Sequence, residues 1–167
     1  MDKLQLLILK NQYEILCRLK EGDREYQAAW KAIDQGYEYE IEALIDEAVR
    51  DPVSMGDCKE VREILDMYRS LQTSLQKADV AAELSEKVSF PGFDGNEETL
   101  HYSYACYLLQ DKGLWFGLKG WEEGTWNSHC PMLPRYRSML KVFREAPGYP
   151  YPVEFVERVI VAGDERY

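Results

Sequence analysis

Asp57–Lys77 reads DCKEVREILDMYRSLQTSLQK, and this stretch decides the fold. Val61, Ile64, Leu65, Tyr68, Leu71 and Leu75 recur at steps of three and four, the spacing that lines up one face of an α-helix. Lys59, Arg62, Glu63, Asp66, Arg69 and Gln72 fall on the other side. Met67 widens the apolar face and Cys58 extends it by a turn. Asp57 is expected to cap the helix, because its carboxylate can accept from free N–H groups of the first turn. A helix this long and regularly amphipathic needs partners, and apolar faces lie on both sides of it in the chain.

Upstream, residues 2–20 read as a helix with Leu9, Tyr13, Leu16 and Leu19 in a stripe. Leu6–Leu9 is apolar almost all round, so this start is expected to be buried against another segment or another chain. Asp23–Gln35 is a second helix, with Tyr26, Ala29, Trp30 and Ile33 on one face and Gly36 as its left-handed stop. Tyr39–Arg50 is a third, with Ile41, Leu44, Ile45 and Ala48 inward, ended by Asp51-Pro52.

Downstream, Asp79–Lys87 reads as a short helix and Ser89–Gly95 as a turn-rich hinge flanked by aromatics. Asn96 is expected to cap a fifth helix with Leu100, Tyr104, Tyr107 and Leu108 inward; Glu97 and Glu98 sit near its positive end. Residues 112–131 differ in kind: Gly113, Gly117, Gly120 and Gly124 interleave with Trp115, Phe116, Trp121 and Trp126. No helical period runs through them, and a long irregular connection of this sort is often functional or hides a small hairpin. Met132–Glu145 returns to helix, with Met132, Tyr136, Met139, Leu140 and Phe143 inward. Pro147–Pro152 is a rigid connector, Val153–Val161 a last helix, and the tail from Gly163 is expected to fray.

The fold class is therefore all-α: a multi-helical orthogonal bundle of about seven helices with one long central helix and a Gly/Trp-rich loop. The length fits one compact helical domain over residues 1–167, or two subdomains near 1–87 and 88–167.

Composition narrows the function classes. Thirty acidic residues against twenty basic ones give a net charge of −10, and the basic residues are scattered. Binding to nucleic acid or to an anionic membrane needs clustered Lys and Arg, so neither is expected. Two helices meet at Gly36, as a helix–turn–helix allows. The second, however, carries Glu38, Glu40, Glu42, Asp46 and Glu47, which would meet phosphates with the wrong sign. Cysteines at 17, 58, 106 and 130 match no zinc spacing. Leu4–Leu9 is too short for a targeting segment, and no apolar run approaches the roughly 20 residues that span a bilayer. A cytoplasmic protein with reduced thiols, no metal and no cofactor is expected.

Several segments carry a family resemblance: Leu7–Tyr13 (LILKNQY), Ala32–Tyr37 (AIDQGY), Ile64–Tyr68 (ILDMY), Phe90–Asp94 (FPGFD) and Tyr136–Leu140 (YRSML). In order and spacing, nearly end to end, the chain resembles the YfbU family of uncharacterised bacterial proteins. The resemblance implies a mainly α-helical bacterial protein of about this length. It implies no activity and no site residue.

Three constellations could carry chemistry. His101 with Cys106, or His129 with Cys130, would make a nucleophile pair or metal site if the fold joined them. A spacing of five does not align His101 with Cys106 on a helix, and adjacent side chains point apart, so ordinary packing is expected. Glu38, Glu42 and Asp46 could act as acid–base carboxylates, yet such a row is more commonly a solvated face. Trp115, Trp121 and Trp126 with Asn127 and His129 form the best candidate ligand site, weighed against a role as a core plug. No phosphate-cradling glycine loop, Ser–His–Asp order or HExxH motif is present.

The functional expectation is a homo-oligomeric interaction or regulatory protein. One alternative is a small-molecule enzyme with its pocket around residues 113–130. Another is an acidic adaptor that docks a basic protein partner through residues 39–50.

Overall fold

The computed structural model describes residues 1–50, 52–78, 82–120, 125–146 and 148–164, with only the backbone of 82 and 83. Asp51, Asp79, Trp121, Gly124, Pro147 and the tail at 165–167 lie outside the described residues. The described residues are all-α. The chain divides into two units, Met1–Pro52 and Val53–Tyr167. This boundary precedes the central helix rather than falling near residue 87, because that helix packs on the helices that follow it.

The first unit contains α1 (Lys3–Leu19), α2 (Arg24–Gln35) and α3 (Glu38–Ala48). Each start has a local cause. Asp2 Oδ1 accepts from Gln5 N at 2.8 Å while Asp2 N donates to Gln5 Oε1 at 3.0 Å, a reciprocal cap. Asp23 Oδ1 accepts from Glu25 N at 3.0 Å, and Gly36 ends α2 at φ 70°. Ala29, Ala32, Ile33 and Ile41 are buried at the centre of this small unit. Lys10 Nζ meets Asp34 Oδ1 at 2.6 Å and ties α1 to α2.

The second unit contains α4 (Met55–Ala78), α5 (Ala82–Lys87), α6 (Thr99–Cys106), α7 (Leu133–Phe143) and α8 (Val153–Asp164). The apolar face read from Asp57–Lys77 is the buried face of α4: Val61, Ile64, Leu65, Met67, Tyr68, Leu71 and Leu75 are at most 2% exposed. The start differs from expectation. The helix begins at Met55, and Ser54 Oγ, not Asp57, accepts from the first turn, taking Asp57 N at 3.0 Å. Ser54 Oγ in turn donates to Asp57 Oδ2 at 2.7 Å. Gln72, placed on the polar side by its spacing, is buried.

An aromatic cluster sits on α4. The Tyr68 ring lies 5.2 Å from Phe90 and 5.6 Å from Tyr136, and Phe93 lies 5.4 Å from Tyr136. The Tyr136 hydroxyl donates to the Gly92 carbonyl. The hinge at 89–95 is thus core rather than linker. Asn96 does not cap α6, which begins at Thr99 with no side-chain cap; the Asp94 carboxylate instead holds the turn before it, its Oδ1 accepting from Asn96 N at 2.7 Å and Glu97 N at 3.3 Å. The inner face of α6 also differs, since Leu100 and, beyond the helix, Tyr107 are exposed while His101, Ala105 and Leu108 are buried. Small Ala105 on that side permits close approach to α4. Beyond α6 the chain widens into a π-helical turn, Tyr107–Asp111.

The glycine-rich segment holds no hairpin among its described residues. Two isolated parallel bridges, Phe90–Gly120 and Phe93–Asn127, fasten it to the hinge. Gln72 reinforces the first: its Oε1 accepts from Lys119 N at 2.8 Å, and its Nε2 donates to Lys119 O at 2.6 Å and Val88 O at 2.9 Å. The α7–α8 pair closes the core. Gly163, expected to begin a frayed tail, is buried in α8, where an added Cβ would lie 2.9 Å from Met139 Cγ. Arg135 Nη2 pairs with Asp164 Oδ1 at 2.9 Å beside it.

Candidate functional site

The tryptophan loop is divided between two anchorages. Trp115 is half-buried; its Nε1 donates to Asp66 Oδ1 at 2.7 Å, and the Arg62 guanidinium lies 5.3 Å from its ring centre. Both partners come from the outer face of α4. Trp126 is held separately. Its ring lies 5.9 Å from Phe90, and its carbonyl accepts from Phe93 N at 3.0 Å. Asn127 Oδ1 accepts from Gly95 N at 3.2 Å and from His129 N at 3.0 Å. The structure therefore brings Trp126, Asn127 and His129 together at the hinge and places Trp115 on α4. Trp121 lies outside the described residues.

Three of these residues have left-handed backbones: Trp115 at φ 51°, Trp126 at φ 51° and His129 at φ 54°. Such geometry is uncommon for residues with a Cβ and persists where neighbours over-determine it. Here the bridges, Asp66 and Asn127 do so. Between the two anchorages Phe116 is 90% exposed.

A second cluster joins three helices. Asp57 and Glu60, one turn apart on α4, face His101 of α6. His101 Nε2 lies 3.3 Å from Glu60 Oε2 and 3.7 Å from Asp57 Oδ1. Arg137 of α7 grips Glu60 through two of its three guanidinium nitrogens, Nε to Oε1 at 2.8 Å and Nη2 to Oε2 at 2.9 Å. That guanidinium holds the Glu60 carboxyl below its usual range. A His and two carboxylates are ligand types for a divalent cation, but Arg137 already engages both oxygens of Glu60. The cluster reads as an ion-pair network stitching α4, α6 and α7.

His101 and Cys106 are not joined. His101 turns to α4, while the Cys106 thiol is pushed up by burial, the direction that opposes a nucleophilic thiolate. Cys130 Sγ meets Met132 Sδ at 3.9 Å. All four cysteines are free thiols.

The first unit offers a different kind of surface. Helix α1 buries no residue fully. Leu9, Tyr13 and Leu16 of the expected stripe are half-buried together with Leu6 and turn inward, but Leu19, expected with them, does not. On the opposite side a second apolar stripe is uncovered: Leu4 66%, Leu7 53%, Ile8 49%, Ile15 58% and Leu19 74% exposed. An open groove of about 920 Å³ runs between α2 and α3. Ala28, Ala29 and Ala32 of α2 and Ala48 of α3 line it, with Tyr26 and Leu44 beside them. The row Glu38, Glu42 and Asp46 is exposed on α3.

The YfbU domain model matches residues 1–162. The chain belongs to the YfbU family. A UPF0304 protein of Actinobacillus succinogenes is 29% identical over 165 residues, covering 97% of this chain and 99% of that protein. A UPF0304 protein of Methanocaldococcus jannaschii is 28% identical over 159 residues, covering 92% and 94%. The second organism is an archaeon, so YfbU membership does not require the bacterial source that the resemblance implied. Neither relative's name states an activity, and the YfbU match brings no site residue with it. Among the described residues of this YfbU chain, no helix is long and apolar enough to cross a membrane.

Sequence reasoning missed Glu98 at this site. It is buried, and its carboxylate accepts from Asp94 N at 3.0 Å, Met132 N at 2.7 Å and Leu133 N at 2.6 Å. It thereby caps α7 from outside and closes the base of the loop. The capping signal at Met132 was absent from the sequence because the cap lies 34 residues away.

Proposed function

We propose that this YfbU-family chain is an interaction protein that works as a homo-oligomer assembled through its N-terminal unit. The observation that carries this reading is the uncovered stripe Leu4, Leu7, Ile8, Ile15 and Leu19 on α1. An exposed apolar stripe on a helix that already turns another apolar stripe inward marks a docking face. Fully burying one Leu or Ile is worth roughly 1.5–3 kcal/mol, so covering half of each side chain gives about 1 kcal/mol apiece. One stripe then supplies about 5 kcal/mol, against an association cost of roughly 4–15 kcal/mol. A stable oligomer must bury the stripe more than once, as a two-fold dimer does.

Sedimentation velocity from about 1 to 100 μM tests it. The native chain should sediment as a multimer, and Leu7→Glu combined with Ile15→Glu should give a monomer with unchanged far-UV circular dichroism. A native chain that stays monomeric throughout refutes the reading.

A second reading keeps Trp115, Trp126, Asn127 and His129, with Trp121, as the lining of a small-molecule site. Its support is the left-handed backbone at Trp115, Trp126 and His129. It predicts a co-purifying ligand visible by native mass spectrometry and lost in His129→Ala. An unchanged adduct in that variant argues against it.

A further inference from the structure

The charge of the first unit is divided between its helices. Helix α1 carries Lys3, Lys10 and Arg18 against one acid, Glu14. Helix α3 carries Glu38, Glu40, Glu42, Asp46 and Glu47 and no base. The groove shares this bias, with Glu25, Glu40 and Glu47 on its lining against Lys31 alone among the bases. Ala28, Ala29, Ala32 and Ala48 put small side chains on its lining, beside Tyr13, Tyr26, Tyr37 and Leu44, and small side chains let backbones approach. Arg18 is on the stripe side of α1, its side chain 79% exposed and, among the described residues, paired with Glu14 of its own helix at 2.7 Å. Lys3 is exposed at the start of the same helix.

Stripe and groove are thus complementary in both hydrophobicity and charge, and each copy of the chain carries one of each. We infer that two copies associate reciprocally: the α1 stripe of each copy lies in the α2–α3 groove of the other, with Lys3 and Arg18 against Glu40 and Glu47. This rests on the oligomer reading above and specifies its partner surface. The arrangement is isologous, so it closes at two copies and buries the stripe twice. It also gives Glu40 and Glu47, on one face of a helix that carries no base, a basic partner.

Complementary charge reversal tests the geometry. One variant combines Glu40→Lys with Glu47→Lys; the other combines Lys3→Glu with Arg18→Glu. All four side chains are exposed, so both variants should keep the native helicity. Each alone should self-associate at least about tenfold more weakly than the native chain, because like charges then face each other at both contacts. An equimolar mixture should form a one-to-one dimer within about threefold of native affinity, since both contacts again pair opposite charges. Native association should also weaken with added salt.

If the native chain is multimeric but both reversals leave it unchanged, or the mixture shows no rescue, the reciprocal geometry is wrong and the oligomer reading survives. A native monomer overturns both.

Discussion

Glu98→Ala would remove one buried carboxylate and strand three backbone N–H groups, those of Asp94, Met132 and Leu133. Each buried donor left without a partner costs about 1–3 kcal/mol. Two of the three are at the start of α7, where the lost negative charge at the helix's positive end adds roughly 0.3–1 kcal/mol. Partial hydration of the gap offsets some of this, so the net loss should be about 3–5 kcal/mol. For a domain of this size that lowers the melting temperature by about 10 °C. Glu98→Gln is the informative companion. It can keep an acceptor on Met132 N and Leu133 N but turns an NH2 group toward Asp94 N, so it should cost about 1–2 kcal/mol. Urea unfolding followed by tryptophan fluorescence in a Trp30→Phe background reads the second unit alone, because Trp30 is the first unit's one tryptophan. Amide exchange at residues 132 and 133 reports the stranded donors directly. Glu98→Ala within about 1 kcal/mol of the parent would refute the three-donor account. So would a Gln variant as damaged as the Ala variant, because the effect would then come from charge rather than from acceptor placement.

Four further substitutions probe the same unit. An added Cβ at Gly92 would lie 1.9 Å from the Trp126 carbonyl oxygen, and one at Gly120 would lie 1.9 Å from the Trp126 ring. Gly120→Ala can be met by ring movement and should cost about 1–3 kcal/mol with a red-shifted emission; Gly92→Ala meets backbone at φ 95° and should cost more, an order that chemical denaturation checks. Gln72→Leu strands Lys119 N and Val88 O while Lys119 O keeps Phe90 N, so it should cost about 2–4 kcal/mol and abolish exchange protection at the Lys119 amide. Arg137→Ala should show a pH signature. The folded Glu60 carboxyl titrates below its usual value of 4.5, first because of the Arg137 hydrogen bonds, so the pair's stabilisation is full above that value and vanishes as pH falls through the folded pKa. The parent should therefore exceed the variant by about 1 kcal/mol at pH 7 and converge with it as the pH falls through the folded pKa of Glu60; a gap that persists in stronger acid would contradict the assignment.

The helices were legible in the sequence because their signals are local. Val61 to Leu75 repeats within one element, Asp23 caps α2 two residues on, and Gly36 stops the helix it follows. The polar side chains that organise the second unit act at long range, and periodicity is blind to range. Gln72 looks solvent-facing at helical spacing, yet its partner Lys119 is 47 residues away. Glu98 looks like a first-turn acid of its own helix, yet it caps α7. His101 looks isolated until α4 supplies Glu60, 41 residues earlier. The tryptophan loop was recognisable by composition, but its division was not: Trp115 depends on Asp66 and Trp126 on the hinge.

The opposite holds for the first unit, where the sequence carried the relevant features as two unrelated oddities. Leu6–Leu9 is apolar almost all round, which a single packed face cannot explain. Helix α3 is acidic without a counter-charge, which a solvated face permits but does not require. Read apart, the first suggested an oligomer and the second an adaptor for some other basic protein. The structure shows that α1 turns one stripe to α2 and leaves the other uncovered, and that Glu40 and Glu47 of α3 line a groove with four alanines. Basic apolar helix and acidic alanine-lined groove are then the two halves of one proposed contact, and the partner that brings the missing half to each is a second copy of the chain.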